Sequence, residues 1–287
     1  MNWLVLTILA IISRATYSIA TKLQSKNIKI SSVSLAFLLT AFAAFLTLPL
    51  SPFIGGISLN GIEKHWVSMI LIILTQVFGN ILFFKGVKRL DAGTAQIAFS
   101  SIIIWGVMLS IAFLNSHFSI TQLFGIFLLL AAIIMIQYQE RRLKLNIGVI
   151  YIIISAAFFA VFQVASAAVA RAVSPATYLS LTYFGAAVLF CLIYPKVIKK
   201  DLISLKKAVK LTFINTLFAS IASLLYFVFA YFAYQRAPDR GIVVILLTSQ
   251  VILSVIFGMI FLKERDHILR KLVASILAFI AGALIQS

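Results

Sequence analysis

The chain alternates between long apolar segments and short polar breaks along its whole length. The breaks carry turn residues or clustered charges, as at Ser51-Pro52, Glu140-Arg141-Arg142, Ser174-Pro175, Pro238-Asp239 and Lys263-Glu264-Arg265. An apolar run of about eighteen or more residues is long enough to cross a hydrocarbon core of roughly 30 Å as a helix. The pattern therefore predicts ten spans, at residues 3–21, 33–50, 66–86, 92–114, 120–138, 147–170, 176–195, 210–234, 241–262 and 268–286.

Composition supports a polytopic membrane protein. Hydrophobic residues make up 63% of the chain, charged residues 11%, and the mean hydropathy is +1.12. Soluble domains carry roughly 25% charged residues. No segment alternates in the ~10-residue pattern of an outer-membrane barrel, so helices are expected to satisfy the backbone in lipid. The single Cys191 excludes an internal disulfide and a cysteine metal cluster. We expect an all-α integral membrane protein without a metal or other cofactor.

The basic residues of the predicted loops indicate the orientation of the chain. Loops after even-numbered spans contain only Lys64, Arg171, Arg236 and Arg240. Loops after odd-numbered spans contain Lys22, Lys26, Lys29, Lys85, Lys88, Arg89, Arg141, Arg142, Lys144, Lys196, Lys199, Lys200, Lys206, Lys207, Lys210, Lys263, Arg265, Arg270 and Lys271. Short loops rich in Lys and Arg stay in the cytoplasm. We therefore expect a multi-pass protein of the cytoplasmic (inner) membrane with both termini outside.

The net charge of +17 has the same origin. It is interpreted as a topology signal and as an attraction to anionic lipid headgroups, because a nucleic-acid site would need a basic soluble domain. The expected partners are a small-molecule substrate and the bilayer, and not nucleic acid. A coupling proton or ion and a homodimer stay open as alternatives.

The segment 196–210 has its own pattern. Apolar residues recur at helical spacing, and lysines fill the other positions; the apolar set is Val197, Leu202, Leu205 and Val209. This arrangement favours a short basic helix on the cytoplasmic interface. The alternative is an ordinary solvated loop between spans 7 and 8.

The chain repeats itself in outline. Sliding Asp91 onto Asp239 also pairs Gly93 with Gly241, Ile97 with Ile245, Ser101 with Ser249 and Phe113 with Phe261. This register predicts two five-helix repeats, at residues 1–138 and 147–287, joined by a linker at 139–146. Because five is odd, the second repeat must enter the membrane from the opposite side, which makes an inverted repeat of the kind common in secondary transporters.

These motifs resemble the EamA repeat of the drug/metabolite transporter superfamily. The element between its third and fourth helices corresponds to residues 87–95, which read Val-Lys-Arg-Leu-Asp-Ala-Gly-Thr-Ala. The element after the ninth helix corresponds to Phe261-Leu262-Lys263-Glu264-Arg265. The Gly-rich fifth and tenth helices correspond to Leu123-Phe124-Gly125-Ile126 and Ala281-Gly282-Ala283. The resemblance covers essentially the whole chain. It implies a ten-helix transporter whose fifth and tenth helices are peripheral, with the first four helices of each repeat enclosing the substrate path.

The chain departs from that family pattern at several positions. Asn115-Ser116 replaces a Gly-Glu pair after the fourth helix, and Ile103 and Val251 lie near the positions of mid-helix prolines. In span 1, Ser13-Arg14 occupies the region of a Trp-Gly pair. The termini of most ten-helix relatives are thought to be cytoplasmic, whereas the loop charges here predict the reverse. These departures concern substrate and direction rather than fold.

Arg14 is the one charge placed deep in a predicted span. It lies about 16 Å of helix from Trp3 and about 12 Å from Lys22, at a rise of 1.5 Å per residue. An arginine near the bilayer centre costs about 2.5–3.5 kcal/mol on insertion scales, so it is expected to face a cavity or a partner. The seven acids all fall at or beyond span ends. The hypothesis is that Arg14 binds a substrate carboxylate or phosphate. The alternative is that it bonds helix-end carbonyls or snorkels toward the cytoplasmic face.

Other residues could line the same cavity. Gln76 and Asn80 share a face of span 3, because they are four residues apart. The remaining candidates are the polar residues Gln96, Gln163 and Gln250 and the aromatic residues Tyr17, Trp105 and Tyr226. For each polar residue the alternative is an interhelical hydrogen bond without a substrate contact, and for each aromatic residue it is simple packing.

Enzyme signatures are missing from the sequence, which contains no Gly-rich phosphate loop and no His/Glu metal pair on a helix. The sequence therefore favours a secondary transporter of an amino acid or an organic anion or zwitterion, working by alternating access. The alternatives are an exporter of hydrophobic or cationic drugs and, from another class, a non-transporting membrane sensor or scaffold.

Overall fold

The computed structural model describes residues 2–26, 30–59, 61–90, 95, 98–99, 101–115, 117–137, 147–205, 209–261 and, near the C-terminus, 269, 273, 276–277, 280–281 and 283–284. In this part of the chain every regular element is helical. The numbered helices are α1 (Trp3–Lys26), α2 (Ser32–Leu50), α3 (Trp66–Val87), α4 (Ile102–Leu114), α5 (Ile120–Gln137), α6 (Ile147–Val169), α7 (Pro175–Ile193), α8 (Val209–Arg236), α9 (Arg240–Thr248) and α10 (Gln250–Phe261).

Among the described residues, seven helical segments are long and apolar enough to cross a membrane. They are Trp3–Ser25, Ser32–Ile54, Trp66–Val87, Ile147–Val169, Pro175–Ile193, Phe213–Arg236 and Arg240–Phe261. Two shorter apolar helices, Ile102–Leu114 and Ile120–Ala132, lie between the third and fourth of these. The predicted spans 1 to 3 and 6 to 8 are therefore present with bounds within a few residues. The start of span 4, the linker 139–146 and most of span 10 lie outside the described residues.

Helix starts follow the turn chemistry of the breaks. Ser31 caps α2 by accepting from Ser34 N, and Ser174 caps α7 by accepting from Thr177 N, each at 3.2 Å. Asp239 caps α9 by accepting from Gly241 N at 2.7 Å. A side-chain oxygen at this position satisfies one of the orphan donors of the first helical turn. The Ser-Pro and Pro-Asp breaks in the sequence thus begin helices α7 and α9.

The predicted ninth span is not one continuous helix. It divides at Ser249 into α9 and α10, and the Ser249 hydroxyl donates to the Leu246 carbonyl at 2.7 Å. Ser101, just before α4, makes the same bond to the Ala98 carbonyl at 2.8 Å. These hydroxyls satisfy carbonyls at positions where the regular ladder is interrupted. The two serines are partners in the sequence repeat, and they lie two residues before Ile103 and Val251, near which the family resemblance leads us to expect a mid-helix proline.

Contacts at the helix ends give each helix a direction. We call end A the side of the bundle on which α1 begins and end B the side on which it ends. Lys22, near the end of α1, donates to the Val87 carbonyl at the end of α3, so both helices end at B. A Cβ on Gly148 would meet Leu90 at 2.9 Å, so α6 begins at B. The α1 and α6 helices therefore run in opposite directions.

Two helix pairs dominate the packing, because α1 has its most extensive contacts with α8, and α3 with α6. The second pair needs a glycine. A Cβ on Gly86 would lie 2.4 Å from Ile152 Cγ1, closer than any real contact. Only a residue without a side chain lets the two backbones approach this closely. The core of the molecule is thus formed by helices from the two halves of the chain that pack against each other.

A short amphipathic helix, Pro195–Leu205, follows α7 at end B and confirms the helical prediction for this segment. Ile198 is buried, while Val197, Leu202 and Ile203 are exposed. Val209 was predicted to belong to the same apolar stripe but instead begins α8. The helix that contains Val197 and Leu202 ends at Leu205 in the described chain, and Val209 belongs to the next described helix, so the helical spacing of the apolar residues did not mark a single helix.

Asp201 ties the amphipathic helix to the start of α2. Its carboxylate accepts from the Ser31 hydroxyl at 2.5 Å and from the Ser31 backbone N–H at 3.0 Å. Burial acts to raise the pKa of Asp201, but the hydrogen bonds from Ser31 and Ser34 outweigh it and hold that pKa below its ordinary value. Lys88, which donates to the Ile30 carbonyl, has a pKa lowered by burial and partly restored by the Asp201 charge. The contact between Asp201 and Ser31 fixes the amphipathic helix against the bundle.

Candidate functional site

Arg14 lies in the middle of α1 and points into the bundle. Only 5% of its surface is exposed, so it neither snorkels to an end of the bundle nor faces outward. The described acids Glu63, Asp201 and Asp239 lie between spans or at a span end. Among the described residues, no carboxylate forms an ion pair with the Arg14 guanidinium. A buried cation that pairs with none of the described acids is the central feature of the site.

Aromatic rings from four helical regions surround the guanidinium. Its Cζ lies 4.5 Å from the ring centroid of Tyr17, 4.7 Å from that of Phe159, 5.3 Å from that of Tyr226 and 5.6 Å from that of Phe99. Each ring face is electron-rich, and a desolvated cation–π contact contributes about 2 kcal/mol. These four rings, which we call the Arg14 cage, stabilise the charge while leaving guanidinium N–H donors for a ligand.

Hydrogen bonds hold two of the four rings in place. The Tyr17 hydroxyl donates to Asn80 Oδ1 at 3.0 Å, and Asn80 Nδ2 donates to the Gln76 backbone carbonyl at 2.9 Å. Across the cage, Gln163 Nε2 donates to the Tyr226 hydroxyl at 2.9 Å. All of these side chains are buried. The cage is therefore fixed by polar side chains on α3 and α6 that are themselves out of contact with solvent.

Several buried amide groups keep an unused hydrogen-bonding atom. The Oε1 atoms of Gln76 and Gln163 have no partner among the described residues, although each glutamine is at most 2% exposed. Leaving a buried acceptor unpaired costs about 1–3 kcal/mol, so such atoms are natural contacts for a ligand donor. Gln163 is especially well placed, because its amide nitrogen already bonds a ring of the Arg14 cage. The site thus offers cationic donors beside a neutral acceptor.

The structure brings together most of the residues proposed from the sequence. Arg14, Tyr17 and Tyr226 meet in the cage. Asn80 and Gln163 are hydrogen-bonded to the two tyrosine hydroxyls. Gln76 lies on α3 one helical turn before Asn80. Trp105 is not part of this group. It lies on the outer face of α4 with 39% of its surface exposed, between the exposed residues Ile104 and Met108.

Two further candidates are placed differently from the cage residues. Gln250 is the first residue of α10, is 2% exposed, and has no hydrogen-bond partner for either amide atom among the described residues. Gln96 lies outside the described residues. The position of Gln250, directly after the break at Ser249, was expected to be the middle of a continuous helix.

Sequence reasoning missed Phe99 and Phe159. Phenylalanine occurs 25 times in the chain, so a single phenylalanine carries little information by itself. One signal was available for Phe159, because it precedes Gln163 by four residues and so lies on the same face of α6. Phe99 precedes α4, and nothing in its spacing distinguishes it from its apolar neighbours.

Basic side chains close the helix ends on both sides of the bundle. At end B, Lys22 Nζ donates to the carbonyls of Val87 and Leu90 at 3.1 and 2.9 Å, which caps α3. At end A, Arg171 Nη2 donates to the Ala237 carbonyl at 2.8 Å, just beyond α8. Arg240 also lies at end A and donates to the Ala167 carbonyl of α6 at 2.7 Å. Cations at helix C-termini are favoured by the helix dipole.

The end B and end A contacts match each other through the repeat. A shift of 149 residues, one more than the register that pairs Asp91 with Asp239, places Lys22 on Arg171 and also Arg14 on Gln163. The two capping residues thus have the same relation to the two halves of the chain, and the two polar residues nearest the centre do as well.

The comparisons with known proteins agree with this architecture. The model of the EamA-like transporter family matches residues 1–138 and again residues 146–287. No curated protein sequence matches the chain. A solved structure titled only "Crystal structure of protein" superposes with a TM-score of 0.73 at 14% identity, covering 98% of this chain and 94% of that one. At this identity the similarity concerns the fold alone.

Proposed function

Because the chain belongs to the EamA-like transporter family, and is therefore a multi-pass membrane transporter, we propose that it moves a small metabolite across the cytoplasmic (inner) membrane by alternating access. The substrate carries a carboxylate or a comparable anionic group, as an amino acid or an organic acid does. Arg14 is its anchor. The observation that carries this proposal is the buried guanidinium of Arg14, enclosed by four rings and not paired with a described acid.

The chemistry of the site supports an anion. Guanidinium presents a planar fork of donors that matches the two oxygens of a carboxylate, and such charge-assisted hydrogen bonds are about twice as strong as neutral ones. The rings of the Arg14 cage exclude water, which strengthens the attraction between opposite charges. A bound carboxylate would also supply the counter-ion that none of the described acids provides. The cage would therefore bind an anionic group more strongly than the same guanidinium would at an exposed position.

A zwitterion has a second contact available. The Gln163 Oε1 atom is buried and without a partner among the described residues, and its amide nitrogen is held by Tyr226 beside the guanidinium. An ammonium group on the carbon next to the carboxylate would donate to this oxygen. This arrangement favours amino acids over simple organic acids. The Gln163→Leu variant separates the two classes, because it should weaken the binding of an amino acid and leave the binding of a simple organic acid unchanged.

The architecture that we propose contains ten helices in two inverted five-helix repeats, 1–138 and 147–287, with the linker 139–146 between them and both termini outside. The double family match supports the repeat. The opposite directions of α1 and α6 and the crossed pairs α1–α8 and α3–α6 are what an exchange of the two repeats would produce. Rocking of one repeat-derived bundle against the other would expose Arg14 to each end in turn.

The test is a ligand-induced thermal shift of the purified protein, followed by flux into proteoliposomes. Amino acids, organic acids, nucleotides and cationic dyes are screened, since a ligand that binds the folded state raises its apparent stability. We expect a carboxylate or phosphate compound to stabilise the wild type and not Arg14→Gln. The control is Arg236→Gln, an exposed arginine at the end of α8, which should respond as the wild type does.

Other outcomes would overturn the proposal. Stabilisation by cationic dyes alone would favour a drug exporter whose aromatic residues bind the cation, with Arg14 as a structural element. Stabilisation by an anion without flux would favour a sensor or scaffold. Loss of folding in Arg14→Gln is resolved by Arg14→Lys, which keeps the charge; we expect it to fold and to bind the same anion at least tenfold more weakly, because the bidentate geometry is lost.

A further inference from the structure

A groove lies at end B, where α7 meets the amphipathic helix. Its volume is about 380 Å³, and its lining residues are Cys191, Pro195, Ile198, Lys199, Leu202 and Ile203. A water molecule takes up about 30 Å³, so the groove has room for roughly twelve groups of that size. The lining is apolar except for Lys199. The dimensions and chemistry therefore suit a stretch of hydrocarbon chain with a negative charge at one end.

The position of the groove defines its surroundings. Cys191 belongs to the last turn of α7, which is a membrane-spanning segment, and Pro195 begins a helix whose exposed side carries both apolar residues and lysines. Such a helix lies in the plane of the membrane interface, with its apolar residues at the boundary between headgroups and acyl chains. The groove is thus at the depth at which lipid headgroups meet their chains, and it opens outward from the bundle.

The charge around the groove is positive. Lys196, Lys199 and Lys200 are all exposed on the amphipathic helix. The helix also contains Asp201, but its carboxylate accepts two hydrogen bonds from Ser31 and is thereby directed toward α2. The same contacts hold the helix in a fixed position against the bundle. A preformed apolar groove beside three lysines is complementary to a lipid that joins an acyl chain to a phosphate.

We propose that this groove is a binding site for one anionic phospholipid. The acyl chain lies along Cys191, Ile198, Leu202 and Ile203, and Lys199 donates to the phosphate. A zwitterionic lipid carries its own cation beside the phosphate, so it gains less from Lys199. This inference does not depend on the substrate proposed for Arg14, because the groove and the Arg14 cage share no residues.

Cys191 allows the proposal to be tested in the full chain, because it is the single cysteine and is exposed. The protein is placed in nanodiscs of phosphatidylcholine, with or without 30 mol% (about one lipid in three) of phosphatidylglycerol, and the rate of Cys191 alkylation by a maleimide is measured. We expect the anionic lipid to slow alkylation at least about threefold. Lys199→Gln should restore the phosphatidylcholine rate, whereas Lys64→Gln, at end A, should leave the protection intact.

A matched control distinguishes protection by a lipid in the groove from the general effect of surface charge on thiol reactivity. Leu192→Cys combined with Cys191→Ser places the thiol one residue away, at a position that is 72% exposed and does not line the groove. Its alkylation rate should be nearly the same in both membranes. Equal slowing at positions 191 and 192, or protection that survives Lys199→Gln, would overturn the proposal. Protection by millimolar glycerol phosphate in pure phosphatidylcholine would also overturn it, since it would indicate a site for free phosphate.

Discussion

At the scale of single residues, the stability of Arg14 inside the bundle depends on aromatic rings, because none of the described acids pairs with it. An arginine near the bilayer centre costs about 2.5–3.5 kcal/mol to insert. Cation–π contacts of about 0.5–2 kcal/mol each, made by four rings, offset a cost of this size. A carboxylate in the same position would neutralise the guanidinium and compete with an anionic ligand. The aromatic enclosure keeps the charge both stable and available.

This reasoning makes Phe159→Leu a direct test of the cage. Leucine keeps the apolar volume but removes a ring whose centroid lies 4.7 Å from the Arg14 Cζ. We expect the affinity for the anionic ligand to fall by about threefold to thirtyfold, since one desolvated cation–π contact is lost. The melting temperature in detergent should fall as well. The matched control is Phe158→Leu, a neighbour that pairs with Phe78 instead. Equal effects of the two substitutions would show that Phe159 contributes only packing.

Asn115 is the clearest case of a residue whose identity is explained by its backbone conformation. It ends α4 with φ 51° and ψ 36°, in the left-handed region, and it is the one non-glycine residue of the described chain with positive φ. Asparagine tolerates this conformation better than other side chains. Asparagine therefore fits this left-handed helix end, where the family resemblance leads us to expect a glycine.

The conformation of Asn115 leads to a stability prediction. Asn115→Gly should melt at the same temperature as the wild type or slightly above it, because glycine adopts this region freely. Asn115→Val should lower the free energy of unfolding by about 1–2 kcal/mol, the usual cost of a left-handed conformation for such a residue. Thermal melting of the two variants in one detergent measures the difference. A valine variant as stable as the glycine variant would show that the turn relaxes.

The depth of a single residue in the membrane could be predicted from the sequence, but the side chains that surround it could not. The bounds of the first span were enough to place Arg14 near its centre, and the absence of a deep acid followed from the sequence. The rings of Phe99 and Phe159 come from segments more than 80 residues away along the chain. Which of many phenylalanines meets the guanidinium is decided by how helices cross, and no periodicity within one helix contains that information.

At the scale of helices, the amphipathic helix depends on one carboxylate. Asp201 holds it to Ser31 at the start of α2, and the pKa of Asp201 lies below its ordinary value. A group whose pKa is lower in the folded state contributes stability above the ordinary value, and that contribution is lost as the pH falls through the folded value. The contact should therefore persist at neutral pH and weaken below about pH 4.

A spin label reports on this contact. A nitroxide at position 203, introduced by Ile203→Cys with Cys191→Ser, should become more mobile as the pH falls from 5 to 3. Asp201→Asn should give the mobile spectrum at both pH values, because the charge is absent throughout. Lys88 also faces Asp201; burial lowers its pKa, but it stays protonated in this acid range. The Lys200 charge faces the same carboxylate. A pH response that persists in Asp201→Asn would assign it to another group.

Helix existence was predictable and helix continuity was not. Apolar length was enough to locate α1 to α3 and α6 to α8, and turn residues were enough to locate the starts of α7 and α9. The break at Ser249 was missed because serine is compatible with a helix interior, and its effect depends on where the hydroxyl bonds. The sequence repeat did pair Ser101 with Ser249, and the two serines make the same bond in the structure.

At the scale of the whole molecule, the end contacts are placed as two alternating gates would require. Lys22 joins α1 to the end of α3 at end B, and Arg171 joins α6 to the end of α8 at end A. Both contacts are formed in this structure, in which Arg14 is almost completely buried. Because they join equivalent helices of the two halves, the proposed alternating access would require one of these contacts to break while the other stays.

The two contacts should therefore respond separately to mutation. A hydrogen bond to a charged group contributes about 1.5–3 kcal/mol, so removing one should shift the ratio of closed to open forms at that end by about tenfold or more. Arg171→Met should widen the distance between spin labels at positions 172 and 235, and leave the distance between positions 23 and 85 unchanged or shorter. Lys22→Met should do the reverse, and both experiments use the Cys191→Ser background. Pulsed electron spin resonance gives the two distance distributions. Widening of both ends by either variant would mean that the contacts stabilise the fold as a whole, and the alternating-access proposal would then lose its gates.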